Sequence, residues 1–173
     1  INCKKTKTEE IPKLTETSKP SESGKNNTTI VNPAKSVAKA GTRFSVSGQV
    51  YKVTKAGKEV SFIQAKKNAK RVVIPATVKS KGVTYKVTSV AAKAVKNNKK
   101  VKSVVIGANV KRISNNAFYK CPVLKTVTIK TAKLSKKTAG KKAFTKVSKK
   151  MVIKAPKKMK KSYARIFRGL AIR

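Results

Sequence analysis

Val104-Val-Ile-Gly-Ala-Asn-Val110-Lys-Arg-Ile113-Ser-Asn-Asn-Ala117-Phe118-Tyr-Lys-Cys121-Pro-Val-Leu124 is the stretch that decides the fold. It runs into Val127-Thr-Ile129, and its elements return as Ala143-Phe144 and Met151-Val-Ile153. The β-like triplets that end at Ile106, Ile129 and Ile153 are 23 and 24 residues apart. A period of that length suits one coil of a solenoid: a strand, a turn and a return arm. One such coil cannot bury its own apolar side, so neighbouring coils must stack. Solenoids present surfaces more often than they enclose reaction centres.

The repeat is specific in detail. Val110, Ile113, Ala117, Phe118, Cys121, Leu124, Val127 and Ile129 follow the pattern V-x-x-I-x-x-x-A-F-x-x-C-x-x-L-x-x-V-x-I without departure. This pattern resembles the BspA-type leucine-rich repeat of bacterial surface antigens. A preceding copy, Val87, Val90, Ala94, Val95, Val101, Val104 and Ile106, has Val95 in place of the Phe and Asn98 in place of the Cys. A later copy, Leu134 to Ile153, keeps Ala143 and Phe144 but is three residues longer before them. The resemblance covers roughly residues 70–155. It implies a secreted or surface-displayed bacterial protein with a binding or adhesive role, and it names no ligand.

Charge is the second informative feature. The chain carries 45 Lys and Arg, only six of them Arg, against five Glu and no Asp. Glu9, Glu10, Glu16 and Glu22 lie near the start and Glu59 is the last acid. From residue 60 onward there are 33 basic residues and no acidic one. Such a region cannot neutralise itself, and it attracts polyanions over a Debye length of about 8 Å. Lys is also a well-solvated surface residue, so mere surface filling stands beside binding as a reading.

Residues 1–41 are rich in Lys, Thr, Ser, Glu and Pro and show no periodicity, which predicts a disordered stalk. Residues 42–173 are expected to form the repeat domain. Within it, 42–66 read as a hairpin cap over the first coil. Phe44, Val46, Val50, Tyr51 and Val53 form one arm, Val60, Phe62 and Ile63 the other, and Lys55-Ala-Gly57-Lys58 the turn. Repeats occupy 70–155 and start at Val72-Val-Ile74. Ile74 precedes Ile106 by 32 residues, and the excess predicts a second hairpin with its turn at Lys79-Ser-Lys81-Gly82. Residues 156–170 read as a helix with Pro156 at its first position and Gly169 just past its end. Met159, Tyr163, Ile166, Phe167 and Leu170 form one apolar stripe, suited to closing the last coil. The other reading of that helix is a cationic amphipathic segment on an anionic membrane. The expected fold is thus mainly β with short helical pieces: a short α/β leucine-rich-repeat solenoid with an N-terminal β-hairpin cap and a C-terminal helical cap.

With no His or Asp and with Glu59 alone beyond residue 22, relays, carboxylate pairs and ordinary zinc or calcium sites are excluded. The isolated glycines make no phosphate loop. The expectation is a non-enzyme without cofactor or metal. Cys121 reads as a small core residue, and Cys3 lies in the tail, where Asn2 suits a lipidation site poorly. No apolar run is long enough for a membrane span. The lack of an initiator Met and of a leader suggests a processed or truncated product.

Two function classes follow. The first is an extracellular or cell-surface binding module on a strand ladder. If Val104, Ile106, Val127, Ile129, Met151 and Ile153 face inward, then Ser103, Val105, Thr126, Thr128, Lys130, Lys150, Val152 and Lys154 face outward as the candidate ligand face. Its partner would be a protein, a glycan or an anionic cell-wall polymer. The second is a sequence-independent nucleic-acid-binding protein. Charge permits it, but few Arg, no aromatic-basic interleaving and no nucleic-acid motif speak against it. Non-specific nucleic-acid adhesion in vitro fits either class. The composition of residues 1–41 leads to one expectation: limited proteolysis cuts there first and leaves a stable core from about residue 42. Early cutting between residues 100 and 155 would contradict this division of the chain.

Overall fold

A computed structural model describes residues 36–140 and 142–173, and the expected stalk lies almost wholly outside them. In chain order the elements are β1 (Arg43–Val46), β2 (Gln49–Lys55), β3 (Glu59–Gln64), β4 (Arg71–Ile74), β5 (Thr77–Ser80), β6 (Val83–Val90) and β7 (Val95–Lys96). Then follow β8 (Ser103–Ile106), β9 (Arg112–Ile113), β10 (Phe118–Cys121), β11 (Thr126–Ile129), β12 (Phe144–Val147) and β13 (Val152–Lys154). A 3₁₀ turn at Lys157–Met159 leads into helix α1 (Lys160–Ile166), and β14 (Ala171–Ile172) comes last.

Each coil visits three parallel ladders. The first ladder has the order β14-β13-β11-β8-β4. The second joins β3, β6 and β9 and continues as a bridge from Ile113 to Ala139. The third is β7-β10-β12. Sequence periodicity becomes spatial columns because the pairing is in register. Val72, Val104, Val127, Ile153 and Ile172 are successive rungs of one column. Ile74, Ile106 and Ile129 form the next. On the third ladder Val95, Phe118 and Phe144 align. The first two rings stack at 5.0 Å and 8° for Phe118 on Phe144, and Phe167 of the C-terminal segment then meets Phe144 edge-on at 5.4 Å. The expected inward placement of Phe118, Cys121 and Leu124 holds, since all three are fully buried.

Backbone contact between coils is unusually close at two glycines. A Cβ on Gly107 would stand 2.5 Å from Ala76 N and 2.6 Å from Pro75 C, and one on Gly140 2.6 Å from Asn115 N. Only the absence of a side chain lets these turns touch. Buried polar groups stitch the same corners. Asn98 Oδ1 accepts from the Lys100 and Val101 amides at 2.9 and 3.0 Å, and its amide donates to Ala69 O of the previous coil at 3.3 Å. Thr131 Oγ1 donates to Val110 O at 2.7 Å. No buried side-chain polar atom among the described residues lacks a partner. Asn98 thus occupies the place that Cys121 holds one coil later, as the degenerate copy implied.

The hairpin between the first two strands of the stack is present: β5 and β6 pair antiparallel through Lys81 and Gly82, at φ 47° and 74°. These angles fit a two-residue type I′ turn, whose twist matches the strands. The same strand, β6, then pairs in parallel with β3 and β9, so one strand serves both the insertion and the coil.

Three expectations need correction. The first arm of the N-terminal hairpin is not one strand. Ser47-Gly48, at φ 53° and 75°, turns the chain back and splits it into β1 and β2, so β1-β2-β3 is a three-stranded meander. The inward residues change parity across this turn, from Phe44 and Val46 to Tyr51 and Val53, and Phe44 pairs with Tyr51. The second correction concerns the C-terminal helix over 156–170. It is a 3₁₀ turn followed by a seven-residue α-helix whose C-cap is Phe167. The apolar stripe is nevertheless right. Tyr163 and Phe167 are buried, Met159, Ile166 and Leu170 pack against the core, and Tyr163 Oη donates to Thr131 O. Third, Gly169 at φ 82° does not cap the helix but precedes β14, which adds a rung to the first ladder. Two-residue strands carry too little pattern to be read from sequence.

The Phe column and the glycine contacts give two measurable consequences. Phe118→Ala leaves a cavity in a site with no room to collapse, and should destabilise the fold by about 3–5 kcal/mol. Gly107→Ala drives a methyl group into the backbone of the previous coil and should remove about 3 kcal/mol, as overpacking does. Denaturant unfolding of the two variants checks both. Midpoints indistinguishable from the parent would show that the coil register is wrong.

Candidate binding surface

The first ladder presents an outward face made of two rows. Register pairing places Arg71, Ser103, Thr126, Val152 and Ala171 along one row. Val73, Val105, Thr128 and Lys154 lie along the other. Adjacent strands are about 4.8 Å apart, so five strands span roughly 19 Å. The rows exist because alternate residues of each strand point to opposite sides, and the inner set is the Val and Ile columns, fully buried except at the terminal Ile172. The ladder brings together six of the eight residues expected to face outward: Ser103, Val105, Thr126, Thr128, Val152 and Lys154. Ser103, Val105, Thr126, Thr128 and Val152 are half-buried by their neighbours, and Lys154 is exposed.

Lys130 and Lys150 share the parity of these residues but not their setting. Lys130 follows the end of β11, where its amide donates to Ile106 O at 2.9 Å, and Lys150 lies in the turn before β13. Both are exposed and stand at opposite margins of the ladder rather than on it. Arg71, Val73 and Ala171 belong to the same face and were missed. Arg71 and Val73 flank Val72-Val-Ile74, so parity would have found them, whereas Ala171 depends on β14. Val73 is exposed, at 41%.

Beside this face runs a column of lysines. Lys70, Lys102 and Lys125 occupy consecutive rungs just before the strands; the Lys102 amide donates to Lys70 O and the Lys125 amide to Lys102 O. On the third ladder Lys96, Tyr119 and Thr145 point outward, and Lys120 Nζ sits 5.5 Å from the Tyr119 ring centre. Tyr119 is thus the surface aromatic that its neighbour Phe118 is not.

Burial favours the neutral forms of Cys121, Tyr163 and Tyr51. Burial pushes the Cys121 thiol up, partly offset by the Asn98 backbone amide, and the thiol donates to Val95 O at 3.2 Å. Burial likewise raises Tyr163, and it pushes Tyr51 up to about 12. A thiol held neutral and fully covered is a poor nucleophile. Glu59, the one acidic side chain of the described residues, binds Thr88 Oγ1 at 3.4 Å and Lys111 Nζ at 3.7 Å. No group of three metal-ligating side chains occurs among the described residues. No helix there is long and apolar enough to cross a membrane.

Residues 61–173 match the family model of the BspA type leucine rich repeat region, in six copies. The match extends beyond the 70–155 range read from the motif, taking in β3 and the segment through β14. No curated protein matches the chain in sequence. Among solved structures, the chain is similar to a leucine rich cell surface protein from Faecalibacterium prausnitzii, at 17% identity over 68% of this chain and 46% of that one, with a TM-score of 0.47. A leucine-rich repeat protein from Bacteroides ovatus matches at 19% identity over 66% and 38%, with a TM-score of 0.48. The pneumococcal vaccine antigen PcpA matches at 16% over 68% and 42%, with a TM-score of 0.44. The chain therefore spans less than half the length of each of these three.

Proposed function

The chain belongs to the BspA-type leucine-rich repeat family, and from that premise we propose that it is a non-enzymatic binding module displayed at a bacterial cell surface. Its docking surface in this reading is the outward face of β4, β8, β11, β13 and β14. One observation carries the proposal. In a region with 33 cations after residue 59, all four outward positions of the adjacent strands β8 and β11, Ser103, Val105, Thr126 and Thr128, are uncharged.

The physical consequence is selective. Lys at an exposed strand position is strongly hydrated, and a partner must strip that water to approach. Small and β-branched residues let a partner approach to contact with little desolvation. A rigid backbone also keeps the ordering cost of binding low. The face therefore suits a protein or a glycan laid across the strands, with Lys154 on it and Lys130 and Lys150 at its margins as steering cations. The surrounding charge attracts anionic polymers of the cell wall over a longer range, and nucleic acid in vitro by the same means.

Two charges at the centre of the face provide the test. Thr126→Lys with Thr128→Lys should abolish the parent's binding to the matrix proteins or glycans that it recognises on an array. The circular dichroism spectrum should be unchanged, because both positions point away from the core. Retention of every parent signal by a folded double variant would move the docking surface elsewhere.

A further inference from the structure

The chain has six arginines, and three of them border a run of adjoining depressions where β9, the turn before Ala139 and the C-terminal helix come close. Three adjoining depressions of about 440, 390 and 350 Å³ share walls there. Lys136 and Ala139 line the first two, and Asn115, Lys137 and Gly140 line the second and third, so they form one continuous trough. Among the described residues six cations border it: Arg112, Lys136, Lys137, Lys142, Arg165 and Arg168.

The trough is built by elements the fold already explains. Arg112 projects from β9, and Ile113 beside it forms the bridge to Ala139. The three extra residues of the later repeat copy fall between Ile129 and Ala143 and are taken up largely by a turn at Ser135–Thr138. That turn is closed by the Ala139 amide on Ser135 O at 2.8 Å and by the Ser135 amide on Thr138 Oγ1 at 2.9 Å. It holds Lys136 and Lys137 outward. Gly140 touches the Ser114–Asn115 backbone and so keeps the floor low. Arg165 lies in the last turn of α1, and Arg168 just after it.

None of these six cations has a carboxylate partner among the described residues, because Glu59 is held by Lys111 and Thr88. Arg forks fit two oxygens of a phosphate or carboxylate at once, where Lys offers a point charge. In a chain that otherwise uses Lys almost everywhere, three Arg at one trough provide geometric selection. Among the described residues the lining contains no aromatic side chain, so it offers neither a nucleobase nor a sugar ring a platform to stack on.

We propose that this trough is a binding site for a flexible, base-free phosphodiester chain of the polyol-phosphate type, seated on Arg112, Arg165 and Arg168 and distinct from the ladder face. The two sites allow the module to hold an anionic wall polymer on one side and to present the neutral ladder on another.

The experiment uses the full chain and purified poly(glycerol phosphate), with polyuridylate and heparin as comparison polymers, by calorimetry at fixed salt. The triple variant Arg112→Lys, Arg165→Lys and Arg168→Lys keeps every charge and removes only the forks. It should bind poly(glycerol phosphate) about tenfold more weakly, the scale of lost bidentate contacts. Lys55→Gln, Lys79→Gln and Lys81→Gln, which removes three charges from the N-terminal hairpins, should weaken binding by less than about twofold, as screened distant charges do. Thermal unfolding of both variants close to that of the parent confirms that affinity is being compared between folded proteins. Three results overturn the proposal: an Arg-to-Lys variant that binds like the parent, tighter parent binding to polyuridylate or heparin than to poly(glycerol phosphate), or no binding to poly(glycerol phosphate) at low salt. The first would reduce the trough to net charge. None of the three bears on the ladder face, which the Thr126 and Thr128 substitutions test separately.

Discussion

The structure depends on the hydrogen-bonded contact of one coil's main chain with the next. Each coil alone has an apolar interior with two open flanks and strands with unpaired edges. Parallel pairing at about 4.8 Å closes both at once, and it forces equivalent residues into columns. That spacing leaves little room at the corners. Gly107 and Gly140 are there because the backbones come closer than any Cβ allows, and Asn98, Asn109 and Thr131 tie the corners with bonds to carbonyls of the preceding coil. The meander at one end and α1 with β14 at the other follow from the same need, since a terminal coil must cover its flank. Phe167 shows how closely the replacement imitates a coil: it places an aromatic ring against Phe144, where a further rung would have placed its own.

What could be read from the sequence was what repeats at coil spacing. The triplets at Val104–Ile106, Val127–Ile129 and Met151–Ile153 marked the first ladder, and Ala117-Phe118 with Ala143-Phe144 marked an inward aromatic step, though not the ladder it belongs to. The 32-residue interval gave the inserted hairpin because a fixed period makes an excess visible. Legibility failed where an element is too short to have a period. β14 has two residues, and β1 has only four, too few for the change of parity from Phe44 and Val46 to Tyr51 and Val53 to read as a reversal of the chain. On the ladder face, parity found Ser103 to Thr128 but carried Lys130 and Lys150 along, because counting by twos has no knowledge of where a strand stops. The arginine trough left no local signal at all. Arg112, Lys136 and Arg168 are brought together by two coils and a helix, and nothing in their flanking residues differs from any other cation in the chain.

The same stacking explains how the fold tolerates so many like charges. Lysines at one sequence position of successive coils, such as Lys70, Lys102 and Lys125, must emerge one rung apart. Two unit charges at such a distance repel by about 1 kcal/mol in water, and longer separations are screened. The side chains reduce this further by splaying, since each head has a long flexible stem. The main-chain ladder cannot relax in the same way. Repulsion is therefore a steady load on a framework whose strength comes from inside, from columns of Val, Ile and Phe that carry no charge.

That load gives polyanion binding a thermodynamic meaning beyond affinity. A ligand that neutralises cations on the folded surface relieves repulsion that the expanded chain feels less, because its charges lie farther apart. Ligand binding then stabilises the fold by the logarithm of the ratio of its concentration to its dissociation constant. The arginine trough concentrates this effect where the outermost turn of α1, the Ser135–Thr138 turn and β9 meet. These are the parts of the fold with the shortest strands and the single-residue bridge of Ile113 to Ala139. The ladder face, with its four uncharged central positions, lies outside this balance. It can meet a partner whose chemistry is set by shape and hydrogen bonding rather than by charge. In the proposed reading the two surfaces share no residue, so an anionic polymer seated in the trough would leave the ladder face open to a neutral partner.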